Sequence, residues 1–183
     1  MSEAMPEKKD RKIALVVVDA QRKFTGGSVP EKGNTEVVDT INKASEMFRS
    51  NSRPVIFICY DGPMHCITYD KEDGDEFLHG IVSDPKDIIV RKKYMNSFKM
   101  SDLADVLRGC GCDSMLIAGM ITQCCVMATY YGAFDYEISP YMLEGGIIAT
   151  EEKYNEAAYK LCNTFNLRDV AENLRTVKTA DRK

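Results

Sequence analysis

Only two histidines, His65 and His79, occur in the 183 residues, too few for a histidine-rich metal centre. No apolar run approaches the ~20 residues that a membrane-spanning helix needs. The first residues, M-S-E-A-M-P-E-K-K-D-R-K, lack the apolar core of a secretion signal. No proline-, glycine- or serine-rich linker, repeat or low-complexity tract divides the chain, so one domain over residues 12–183 is expected behind a solvated arm at residues 1–11. The formal net charge is -4, with 24 Lys and Arg against 28 Asp and Glu; its basic residues form no patch, which argues against a nucleic-acid partner. Seven cysteines, odd in number and irregularly spaced, do not read as a disulfide framework. The reading is a cytoplasmic protein with reduced thiols and no membrane partner.

What the chain does have is 44% hydrophobic residues, enough for a sizeable core, arranged as alternating strand and helix patterns. Ile13 to Val18 (I-A-L-V-V-V) is short, continuous and β-branched, the pattern of a strand buried on both faces. Strands are also predicted over residues 54–59, 87–90, 115–118 and 136–141. Helices are predicted over residues 34–50, with Val37, Val38, Ile41, Ala44 and Met47 or Phe48 near a 3.6-residue period, and over residues 126–134 and 167–177. Ser101 suits the N-cap of a further helix ending at Gly109. Another is predicted over residues 151–162, with Ala157, Ala158 and Leu161 facing inward. Right-handed crossovers between such elements produce a three-layer α/β/α fold around a mostly parallel, doubly wound sheet.

Residues 118–129, A-G-M-I-T-Q-C-C-V-M-A-T, place a cysteine pair where a strand gives way to a helix. Unsatisfied N–H groups at a helix start lower a thiol pKa, so a reactive cysteine is expected there. The first strand ends in Asp19, and the strand at residues 87–90 runs into Arg91, Lys92 and Lys93. In an open parallel sheet the C-terminal strand ends line the ligand crevice, so Asp19, a basic residue near position 92 and Cys125 could converge. Each also has a plainer reading: a small buried hydrophobe, a turn cap, a solvated charged rim. Cys110 and Cys112 form a C-x-C without a second ligand pair of zinc-like spacing.

Three segments in this order, D-A-Q-R-K-F at residues 19–24, K-K-Y-M-N-S-F at residues 92–98 followed by S-D-L, and G-M-I-T-Q-C-C-V at residues 119–126, resemble the cysteine hydrolases of the isochorismatase-like superfamily, which includes nicotinamidases and N-carbamoylsarcosine amidases. The resemblance runs from about Lys12 to Leu174. It implies a catalytic triad of Asp19, Lys92 and Cys125. Counting six residues back from Phe98 favours Lys92 over the adjacent Lys93, and counting three on from Thr122 reaches Cys125, not Cys124. It also implies a cis peptide between Met120 and Ile121, with the N–H groups of Ile121 and Cys125 aimed at an oxyanion and Thr122 in support. A substrate pocket drawing on Gln21, Phe24, Asp61, Tyr94, Phe98, Thr122 and Gln123 would follow.

The implied activity is hydrolysis of a small-molecule amide C–N bond through a thioester, with no cofactor, by a homo-oligomer of two or four chains. Nicotinamidases carry a D-x-H element for a divalent metal after the second strand. Here Asp61 is followed by Pro63 at the histidine position, with His65 and Cys66 beyond, so no metal is expected. The acids Asp61, Asp70, Asp73, Asp75 and Glu76 could disfavour anionic substrates. The competing readings are a vinyl-ether hydrolase of the same fold, which resembles sequences lacking this cysteine; a redox protein using Cys124 with Cys125 or Cys110 with Cys112; and a non-catalytic binding module.

Overall fold

The computed structural model describes residues 12–25, 34–62 and 76–180, with side chains as far as Leu174. Six parallel strands, β1 (Ile13–Val18), β2 (Val55–Tyr60), β3 (Ile88–Lys92), β4 (Ser114–Met120), β5 (Ser139–Ile148) and β6 (Thr164–Phe165), form one sheet in the order β3-β2-β1-β4-β5-β6. Five helices accompany them: α1 (Thr35–Ser50), α2 (Leu103–Gly109), α3 (Met127–Phe134), α4 (Glu152–Leu161) and α5 (Leu167–Ala180). The three-layer α/β/α architecture is therefore present. Among the described residues no helix is long and apolar enough to cross a membrane.

Strand alternation divides the core in two. Ile13, Leu15 and Val17 pack with Val38, Ile41, Ala44 and Phe48 of α1 and with Val170 and Leu174 of α5. Ala14, Val16 and Val18 point the other way, to Leu103 and Leu107 of α2, Tyr130 and Ala133 of α3 and Ala158 of α4. Helices on both faces explain why β1 reads as an unbroken apolar run rather than an alternating one. The strand order reverses between β1 and β4, so the crevice of this sheet opens where those two strands end. Val18 there pairs with Gly119. A Cβ on Gly119 would lie 2.0 Å from the Val18 carbonyl oxygen, and its φ is +108°, so only glycine lets β4 close on β1 at this point.

Some local expectations shift. Residues 136–138 form a turn, not a strand, with the N–H groups of Tyr136 and Ile138 both returning to the Ala133 carbonyl. β5 starts at Ser139 and continues through Gly145 and Gly146 to Ile148; the glycines hid its second half. β3 reaches two residues further than predicted, to Lys92. On α4 the buried positions are Asn155 and Ala158, whereas Ala157 is exposed and Leu161 is 67% exposed. A polar anchor, rather than the apolar stripe, sets that helix's rotation. At α2 the N-cap is Asp102, and Ser101 beside it accepts from the Leu103 N–H at 3.3 Å.

Candidate active site

Asp19 follows β1 directly, in a left-handed backbone conformation (φ +47°), with its N–H bonded to the Ile58 carbonyl at 3.1 Å. The turn drops its carboxylate into the crevice, 1% exposed. On β3 the alternation runs Val90 in, Arg91 out, Lys92 in, and Lys93 is exposed. Lys92 sits opposite Tyr60 of β2, so reaching Asp19 means crossing the end of the intervening strand, a span that suits a four-carbon stem. Its ammonium lies 2.8 Å from Asp19 Oδ2, with both side chains fully buried. It also donates to the Met95 carbonyl at 2.9 Å and stands 5.8 Å from the Tyr60 ring centroid.

The third residue arrives from the reversal of strand order. After β4 the Met120–Ile121 peptide is cis, and residues 122–126 form a π-helical turn before α3 begins. The Ile121 carbonyl accepts from the N–H groups of Cys124 at 3.0 Å and Val126 at 3.4 Å, on either side of Cys125. Single π turns of this kind often carry functional side chains. The turn is held from outside: Thr122 Oγ1 donates to Asn155 Oδ1 at 2.7 Å, Asn155 Nδ2 donates to Glu152 at 3.1 Å, and Gln123 Nε2 donates to Thr150 Oγ1 at 2.7 Å. Cys125 is 8% exposed and lines the same recess as Asp19. The Lys92 ammonium apart, the Asp19 oxygens have no polar partner among the described residues.

Burial pushes the Asp19 carboxyl above its ordinary value, with the Lys92 charge opposing and the Cys125 thiol and Lys23 helping to hold it down. The Cys125 thiol is pushed up as well, first by burial and then by the Asp19 charge, with Lys92 again opposing. This reverses the lowered thiol pKa expected of a helix start, because desolvation of a thiolate in this crevice outweighs the turn's N–H groups. Burial thus disfavours the charged form of both groups, and the Lys92 ammonium opposes it at each.

Among the described residues, a recess lined by Asp19, Phe24, Met120, Ile121, Cys124 and Cys125 leaves about 10 Å³, the space of one water-sized group. Other expected pocket residues lie elsewhere. Gln21 is fully buried and clamps both backbone groups of Tyr60, accepting from its N–H at 2.8 Å. Phe98 stacks on Tyr136 at 4.8 Å inside the core, because its strand-end segment folds back onto α3. Thr122 faces Asn155, and Gln123 is exposed against Thr150. Tyr94 is 38% exposed beneath Lys99, and Asp61 is exposed at the end of β2.

His65 and Cys66 fall outside the described residues. Among those described, no three His, Cys, Asp or Glu side chains are grouped to hold a metal ion. One neighbour of the site, Lys23, escaped the sequence reading. Lys23 lay inside the D-A-Q-R-K-F segment, but nothing local marks which of its two cations turns toward the crevice.

Comparison with known proteins bears on the whole arrangement. The chain is 26% identical over 179 residues to the isochorismatase family protein YrdC of Bacillus subtilis, covering 94% of each chain. It is similar in fold to a cysteine hydrolase from Pseudomonas syringae (TM-score 0.76, 18% identity, 92% of this chain and 94% of that one). It also resembles N-carbamoylsarcosine amidase from Thermoplasma acidophilum (TM-score 0.72, 22% identity, 85% and 96%). The isochorismatase domain family matches residues 13–172, a span that opens on the first residue of β1, takes in Asp19, Lys92 and Cys125, and runs into α5. On that match the chain belongs to the isochorismatase family.

Proposed function

We propose that this chain is a cysteine-dependent hydrolase that cleaves the C–N bond of a small-molecule amide through a thioester, with Asp19, Lys92 and Cys125 as its catalytic triad. The observation that carries the reading is the buried Asp19–Lys92 ion pair, 2.8 Å long, set against a cysteine thiol where the strand order reverses. Burying two charges is costly unless the pair has a use or many partners, and this carboxylate keeps acceptor capacity turned toward a nucleophile.

In the proposed reaction the Cys125 Sγ–H proton passes to Asp19 as sulfur attacks the amide carbonyl carbon. The Lys92 ammonium, already beside the carboxylate, offsets the charge on sulfur as it develops. The carbonyl π electrons move to oxygen, where the N–H groups of Ile121 and Cys125 would each contribute ~3 kcal/mol of stabilisation. Collapse of the tetrahedral intermediate expels the amine, which takes the proton back from Asp19. A water molecule deprotonated by the same carboxylate then attacks the thioester, the C–S bond breaks, and the proton returns to Cys125.

The test is ammonia release from a panel of small amides, ureido acids and nicotinamide, measured with wild type and Cys125→Ala alongside intact mass. Cys125-dependent ammonia or a trapped acyl adduct is expected. Equal turnover by folded Cys125→Ala would end the reading.

A further inference from the structure

The short 3-10 turn Arg22–Phe24 that follows Asp19 carries two cations with different fates. Arg22 is exposed and pairs with Glu76. Lys23 is half-buried, donates to the Tyr60 carbonyl, and holds its ammonium 5.8 Å from the centroid of Phe24, a ring that lines the recess. Its charge is felt by the buried Asp19 carboxylate. No carboxylate among the described residues pairs with it. An ammonium has three donors, and the Tyr60 carbonyl takes one.

The remaining charges around the recess nearly cancel among the described residues. Asp19 and Lys92 neutralise each other, and Glu76 is taken by Arg22. Asp61 is exposed beyond Tyr60, with its N–H on the Lys92 carbonyl, and Lys93 is solvent-facing. Among the described residues Lys23 is thus left as one uncompensated positive charge beside the wall of a small recess, where a counter-charge is worth more than in water.

We infer that Lys23 is a specificity-determining residue that selects substrates carrying a carboxylate near the scissile bond. This rests on the reading of Cys125 as the nucleophile. The acidic loop that suggested the opposite preference contributes two described acids, Asp61 and Glu76, one solvated and one already paired.

The experiment uses two nearly isosteric alkylating probes, iodoacetate and iodoacetamide, on wild type, Lys23→Gln, Lys23→Arg and Lys93→Gln, with prolonged treatment at about pH 9 to draw on the small thiolate fraction of a buried thiol. Site-resolved mass spectrometry gives the iodoacetate-to-iodoacetamide rate ratio at Cys125, normalised to exposed Cys110 to remove the reagents' intrinsic difference. The normalised ratio should exceed one in wild type and fall about tenfold in Lys23→Gln, the scale of a local electrostatic effect on capture. Lys23→Arg should keep it, and Lys93→Gln, which removes the same charge from the rim, should leave it unchanged. An unchanged ratio in Lys23→Gln overturns the inference while leaving the nucleophile intact. Failure of both reagents to modify Cys125 even on prolonged treatment, while Cys110 reacts fully, overturns the nucleophile reading and this inference together.

Discussion

In the proposed mechanism Asp19 and Cys125 share one proton-transfer path, and the buried environment raises both of their pKa values. A base must be ionised to act, so a raised Asp19 moves the acid limb of kcat/KM above the ordinary carboxylate range near 4. Activity should fall as pH drops through that displaced value, and a pH–rate profile checks it. Asp19→Asn should lower kcat by about 10²–10⁴-fold, the usual contribution of a general base. The thiol makes a second prediction. Cys125 is 8% exposed and protonated at rest, whereas Cys110 is exposed. Peptide mapping after limited iodoacetamide treatment near neutral pH should find Cys110 modified first. Rapid labelling of Cys125 would mean that its thiolate is stabilised more than burial allows. Lys92 against Lys93 is also decided at this scale: adjacent lysines are indistinguishable by composition, but β-strand alternation sends one inward with Val90 and the other to solvent.

At the scale of elements, the approach of β4 to β1 and the π turn that follows set the site. Gly119→Ala would place a methyl group 2.0 Å from the Val18 carbonyl at a φ of +108°, and should cost at least ~3 kcal/mol, the range of severe backbone conflict. Urea unfolding would measure it. The turn's outer anchor is milder. Asn155→Ala removes the acceptor for Thr122 and should cost ~1–3 kcal/mol as a buried hydrogen bond lost. kcat should fall more than KM rises, because the turn that aims Cys125 loosens; an unchanged kcat would show the turn holding by itself.

The pattern of legibility is physical at this scale. β1, β2 and α1 were readable because two-sided burial or one amphipathic stripe leaves a compositional trace. The second half of β5 is broken by Gly145 and Gly146, and α4 is oriented by Asn155, whose partner lies 33 residues away on the π turn.

For the whole molecule, the sheet order β3-β2-β1-β4 brings residues 19, 92 and 125 to one end of the crevice, with their charges inside the core. Such a pair adds little stability by itself. Lys92→Met alone should destabilise by about 3–5 kcal/mol, since it strands a buried carboxylate. Asp19→Asn with Lys92→Met should recover much of that loss while remaining inactive; thermal unfolding of both variants tests the cycle. The sign with pH is unusual too. The folded protein holds the Asp19 proton more tightly than the unfolded chain, so between the ordinary carboxylate value near 4 and its raised value this group's contribution to stability declines as pH rises.

Local sequence by itself determined the parallel sheet and the residue types at its strand ends, because burial on both faces demands long β-branched runs and the turns after them demand particular side chains. It did not determine that Lys92 crosses the end of β2, that Gln21 and Phe98 turn away from the recess, that Lys23 reaches the Tyr60 carbonyl, or that the thiol is pushed up rather than down. Those depend on which distant segments surround each side chain, and desolvation and charge pairing exist only once the strands have assembled.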